Sequence, residues 1–124
     1  MVRSAVATED ELTAFEALYG SIPLDFRWFL AECGGGPVGS EWVDSIAELP
    51  QSHSRFQKQS AEAGGWTMRD VFIIGWDGSG NPLGIHAPTG EVWVEDHNFG
   101  GVHRVAESFE RFLSIGLINP SEPG

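Results

Sequence analysis

DVFIIGWDGSGNPLGIHAPTGEVWVEDH, residues 70–97, reads as three strands joined by two tight turns. Val71, Phe72, Ile73 and Ile74 form an unbroken apolar run, rich in β-branched and aromatic side chains. Such a run suits a central strand covered on both faces, because a strand with one wet face alternates. Asp77, Gly78, Ser79, Gly80 and Asn81 tolerate positive φ or bond their own backbone, so the chain reverses there. Leu83 to His86 supplies the returning strand. Ala87 to Gly90 turns again, and Glu91 to Glu95 is the third strand. The stretch specifies an antiparallel meander and is silent about function.

Helices are expected on either side of it. Thr8 and Glu11 have the spacing of a capping box, in which hydroxyl and carboxylate each satisfy a free backbone N–H. Acids at Glu9, Asp10 and Glu11 favour the positive end of a helix. Leu12, Phe15 and Tyr19 share a face, with Leu18 at its edge, and Gly20 ends the helix. Pro23 suits the first position of a second helix, where its missing N–H costs nothing. Phe26, Phe29, Leu30 and Cys33 follow at i, i+3, i+4 and i+7 as an apolar stripe, with Arg27 and Trp28 off it. The run Gly34, Gly35, Gly36, Pro37 stops that helix.

Residues 38–43 read as one short strand. Ser45 and Glu48 form a second capping-box pattern before a short helix through Ile46 and Leu49, which Pro50 is expected to stop. Residues 51–65 are polar and aperiodic with a weakly helical middle, and are expected to be the most mobile stretch. Residues 102–106 add a further strand, and 107–115 a last helix with Phe109, Phe112 and Leu113 facing inward. No repeat or linker divides the chain. One domain over 1–124 is expected, with a core about 8–117 and tails at 1–7 and 119–124.

With 124 residues the chain buries roughly two thirds of its unfolded surface, enough for one core. Five Trp and eight Phe supply large area per residue. Seven basic against 18 acidic residues give a net charge of −11. That charge repels phosphate backbones, so nucleic acid is not an expected partner, and it speeds encounter with a basic protein. A single cysteine forms no internal disulfide and fits a reducing compartment. The chain shows no apolar leader or membrane-spanning run, and a cytoplasmic location is expected.

Catalytic signatures are thin. Gly34, Gly36 and Gly39 match a dinucleotide-binding glycine pattern by letter, but they follow a helix where phosphate chemistry needs them to open one. Asp77, Ser79 and Asn81 mimic the start of a calcium loop, yet Pro82 replaces its glycine and Pro88 its closing Glu. Glu95, Asp96 and His97, with His103 near, form the one compact polar cluster, without a metal-site spacing. Cys33 lies on the apolar stripe near a helix C-terminus, where a thiol is not activated. Trp42, Trp66 and Trp76 lie beside acids or turns and are candidate exposed rings.

Several pieces line up in a fixed order along the chain. Tyr19-Gly20-x-x-Pro23-x-Asp25-Phe26-x-x-Phe29-Leu30 precedes Cys33, Gly34 and Gly35. Ile74-Gly75-x-Asp77-Gly78-Ser79-Gly80-Asn81 precedes Thr89-Gly90-Glu91-Val92-Trp93. Asp96-His97 precedes Val105-Ala106-x-Ser108-Phe109-x-x-Phe112-Leu113. This order, over residues 12–115, resembles the SUKH superfamily of Smi/Knr-like proteins. The chain departs from the family pattern at Cys33, where Asn is usual, at Asn81 for Asp, and at Trp93 for Tyr.

The resemblance implies an α+β fold, a small antiparallel-rich sheet flanked by helices. It also implies a non-catalytic protein-binding role without a cofactor. Bacterial members are mostly immunity proteins that neutralise polymorphic toxins, often nucleases, by direct binding. A cognate basic toxin domain is therefore the expected partner. Acidic side chains would stand in for nucleic-acid phosphates, with Glu41, Asp44, Asp77, Glu95 and Asp96 as candidate contacts and Trp42 or Trp76 as an apolar anchor. The alternatives are a housekeeping adaptor of the Smi/Knr type and a metal-dependent enzyme built on Glu95, Asp96, His97 and His103.

Overall fold

The structure, a computed structural model, describes residues 6–38, 41–77, 79–96 and 101–118, with the side chains at 37, 41 and 116–118 outside that description. Among the described residues, four helices and six strands follow in the order α1 (Glu9–Tyr19), α2 (Leu24–Glu32), β1 (Gly36–Val38), β2 (Glu41–Val43), α3 (Leu49–Ser60), β3 (Val71–Trp76), β4 (Pro82–His86), β5 (Val92–Glu95), β6 (Val102–Ala106) and α4 (Phe109–Ile118). The strands form one six-stranded sheet in sequence order, every neighbouring pair antiparallel. The fold is α+β, as the resemblance implies.

Residues 71–74 sit where their composition puts them. Phe72, Ile73 and Ile74 are buried, and β3 has a neighbour on each side. Phe72 faces Ile85, and Ile85 faces Val92, across adjacent strands. Cross-strand partners share a face. That face carries the core, which also contains Leu12 and Phe15 of α1, Phe26, Phe29 and Leu30 of α2, and Phe109 and Phe112 of α4. Phe26 is its hub: the ring is fully buried and lies 5.4 Å from Phe109, 5.9 Å from Phe72 and 6.2 Å from Phe29, centroid to centroid. Burying one such side chain contributes about 1.5–3 kcal/mol.

Local signals set the helix ends. The Thr8 hydroxyl accepts from the Glu11 N–H at 3.1 Å and the Glu11 carboxylate accepts from the Thr8 N–H at 2.9 Å, completing the box. Leu12 and Phe15 are buried, whereas Tyr19 is partly exposed, stacked on Phe15 and edge-on to His53, and Leu18 stands in solvent. Pro23 is the extended N-cap of α2, one residue earlier than its chemistry at a first helical position suggests. The stretch 38–43, expected to be one strand, instead contributes to two: β1 (Gly36–Val38) pairs antiparallel with β2 (Glu41–Val43), with Pro37 opposite Trp42.

The largest departure from the sequence reading concerns Pro50. It stands in the first turn of α3 and starts that helix; it does not stop one. The fixed φ that breaks a helix interior is ready-made for its first turn. The turn at 46–48 precedes it, and residues 51–60, part of the 51–65 stretch expected to be mobile with only a weakly helical middle, lie in a three-turn helix, Leu49–Ser60. Leu49 and Ser52 are its buried positions.

α3 takes over where β2 leaves off. β2 pairs only with Gly75 and Trp76 of β3. Beyond them the Asp44 N–H donates to the Ile74 carbonyl at 2.7 Å, and His53 Nε2 from α3 lies 2.9 Å from the Ile73 carbonyl. A carbonyl only accepts, so that nitrogen carries the proton.

Candidate functional site

The sheet brings Trp42 of β2 and Trp76 of β3 opposite one another in register. The close approach depends on Gly75, where a Cβ would lie 2.1 Å from the Trp42 carbonyl oxygen. Beside this pair lies an open groove of about 740 Å³ between the tryptophans and α3. Its charges are mixed: Glu48 and Glu62 on one hand, Arg55 and Lys58 on the other.

Each ring is held by a polar partner. Trp42 is one third exposed, and its Nε1 donates to Glu48 at 3.3 Å. The same Glu48 oxygen takes the Ser45 N–H at 2.8 Å and the Ser45 hydroxyl at 3.2 Å. That is the carboxylate half of the expected capping box, displaced into the turn that precedes α3. Trp76 Nε1 donates to the Ser52 hydroxyl at 3.2 Å, and the Arg55 guanidinium lies 3.9 Å from the centroid of the Trp76 ring. Such a cation–π contact contributes about 0.5–1 kcal/mol at an exposed site. Trp66 leans on Trp76 at 6.3 Å and donates to Gln59 at 2.8 Å.

Under the rings a proton-bearing chain runs inward. Ser52 Oγ accepts from Trp76 and donates to Asp44 Oδ2. Asp44 is buried, and loss of water around the carboxylate pushes its pKa up to about 7. The Ser52 bond and the Arg55 charge pull it down, and Glu48 pushes it further up. Burial prevails because it penalises the charged form directly.

The seven residues expected to meet a partner scatter in a telling way. Trp42, Asp44 and Trp76 converge on the groove, while the Glu41 side chain lies outside the described residues. Asp77 folds its carboxylate onto its own turn, accepting from the Ser79 N–H at 2.8 Å, the Asn81 N–H at 2.9 Å and Asn81 Nδ2 at 2.9 Å. Glu95 is buried, and its carboxylate takes the N–H groups of Thr67 and Met68 and the Thr67 hydroxyl at 2.7–3.0 Å. Glu95 thus anchors the loop that carries Trp66 against the groove and offers its charge inward. Asp96 is half-buried after β5, its N–H donating to the Gly101 carbonyl at 3.0 Å.

Sequence reasoning missed the α3 wall: Ser52, Arg55, Lys58 and Gln59 belong to the stretch expected to be mobile. The available signal was Leu49, Ser52 and Phe56 at helical spacing, with Pro50 in the first turn. For the metal alternative, His97 lies outside the described residues, and Glu95 spends both oxygens on Thr67 and Met68. No group of three or more possible ligands occurs among the described residues. The glycine run ends α2 at Cys33 and opens β1, so its first two glycines precede a strand.

Comparison with protein families matches residues 6–115 to the SMI1 / KNR4 family (SUKH-1). Comparison with curated proteins gives no match.

Proposed function

The chain belongs to the SMI1 / KNR4 family (SUKH-1), a family of immunity-type and Smi/Knr-type domains that are generally non-enzymatic, and on that premise we propose that it neutralises a cognate toxin by binding it. The toxin is of the nuclease type, with a basic substrate cleft. Trp42 and Trp76 are the apolar anchors, Glu48 and Glu62 the charged rim, and Asp44 and Glu95 act from beneath by holding the groove's walls. The observation that carries the reading is the open groove in which two cross-strand tryptophans stand beside acidic and basic side chains. Aromatic anchors ringed by polar groups are the usual anatomy of a binding hot spot. A net charge of −11 supports a basic partner.

No helix among the described residues is long and apolar enough to cross a membrane.

The test pairs capture with inhibition. Tagged protein is passed through lysate of its source cells, and the retained partner is assayed for nuclease activity with and without an equivalent of this chain. Stoichiometric inhibition by the wild type, weakened at least tenfold by Trp42→Ala, is the expected result. A retained partner that has no nuclease activity, or keeps it in the complex, replaces immunity with the adaptor role.

A further inference from the structure

A second surface, sharing no residue with the groove above, lies between α2 and α4. α2 has a buried stripe of Phe26, Phe29 and Leu30. Yet Leu24 and Trp28, one turn apart, remain 83% and 58% exposed. Trp28 is the most exposed tryptophan among those described. Its ring borders a trough of about 450 Å³ whose apolar lining comes from Trp28, Phe29, Cys33, Phe109 and Leu113. The volume falls at the lower end of those that receive ligands or anchor side chains.

The charges at this trough have one sign. Asp25 and Glu110 line its rim, and no basic residue does among the described residues. Glu32, seven residues after Asp25, extends the acidic line along the same side of α2. The basic residue of α2, Arg27, points elsewhere: its guanidinium is 2.9 Å from Glu9 and 3.3 Å from Glu16. An apolar floor with acids at both lips asks for an apolar side chain flanked by cations.

We propose that the trough between α2 and α4 docks a basic amphipathic segment of a partner protein, one bulky apolar side chain entering between Trp28 and Leu113 while flanking Lys or Arg side chains meet Asp25 and Glu110. Charge decides against the other occupants. A second copy would bring −11 against −11. A neutral small molecule would leave the two carboxylates unused. A helix laid in a groove with anchors at helical spacing satisfies both demands at once. The inference stands apart from the toxin reading and survives the failure of that reading.

The probe is a peptide of leucine and lysine in amphipathic helical order, with a scrambled peptide of identical composition as control. Amide shifts of the protein are followed by NMR through the titration. The ordered peptide is expected to move Trp28, Cys33, Glu110 and Leu113, and to bind at least tenfold more tightly than the scrambled one. Trp28→Ala should weaken it at least tenfold, and Asp25→Lys with Glu110→Lys should do the same by charge alone. These sites are exposed, so the variants keep the fold, which the unperturbed amide spectrum verifies. Trp42→Ala should leave the peptide's affinity unchanged. Equal affinity for both peptides, or shifts centred on another face, overturns the proposal. So does a Trp28-dependent dimer of the protein alone, which would assign the trough to a second copy.

Discussion

Ser52 on α3 donates its hydroxyl proton to Asp44, the residue that leaves β2, and so ties a helix to the end of a strand under the Trp76 ring. The bond joins the two segments whose roles were hardest to see locally. It also places a carboxyl group in a dry site, with consequences for pH.

Asp44 makes stability fall as pH rises. The unfolded chain gives up this proton near 3.8, whereas the folded chain holds it to about 7. Between those values the native state binds more protons, so the stabilisation present in acid is lost toward neutrality. At about 1.4 kcal/mol per unit the ceiling is on the order of 4 kcal/mol. Asp44→Asn should flatten this slope and be the more stable protein at pH 8. Urea unfolding from pH 4 to 8 decides it, and an unchanged slope in the variant would sink the assignment.

His53 acts in the opposite sense. Burial lowers its pKa, and the bond to the Ile73 carbonyl only partly offsets that. The unfolded chain then binds the extra proton just below pH 6.5, so stability rises with pH through that window. His53→Gln should remove this rising component. The difference is read by urea melts at pH 5 and pH 7 in an Asp44→Asn background, which removes the opposing slope: there His53→Gln should bring the two midpoints closer together.

Glu95→Ala should destabilise by about 2–4 kcal/mol, because it strands the N–H groups of Thr67 and Met68 without an acceptor. The Trp66 loop should loosen with it, visible as faster amide exchange at Thr67 and Met68. A surface acid would cost under about 0.5 kcal/mol on the same change, so the size of the loss distinguishes an anchor from a partner contact.

Gly75→Ala places a methyl group against the Trp42 carbonyl, which is backbone and cannot step aside. Loss of the β2–β3 pairing and a displaced Trp42 are expected, with a melting temperature lowered by several degrees. Retention of full stability would mean that the two strands are not in close register.

Phe26→Ala removes the hub of four aromatic rings and should cost about 3–5 kcal/mol. Trp28→Ala, two residues on, should stay within about 0.5 kcal/mol because Trp28 faces solvent. The contrast is measurable in one set of denaturant melts.

Much of this was legible in the residues. Among the described residues of 70–96, the meander has its strands and turns as its composition dictates, since apolar runs and turn residues act within a few positions. The stripe Phe26, Phe29, Leu30 named the core face of α2, and Thr8 with Glu11 named the start of α1. Trp42, Asp44 and Trp76 could be suspected but not joined, for β2 and β3 are separated by α3. Glu95 was misplaced because a carboxylate on a strand has the same letter whether it meets water or the N–H groups of a distant loop.

The sequence by itself determined the local geometry, the acidity and the family, because periodicity, capping and turn chemistry depend on near neighbours. Tertiary structure alone decided that Pro50 begins a helix, that α3 replaces β2 along β3, and that Asp44 is buried while Trp28 is not. Those outcomes depend on which surfaces meet. Burial and desolvation belong to pairs of elements brought together, and no stretch of chain contains that information alone.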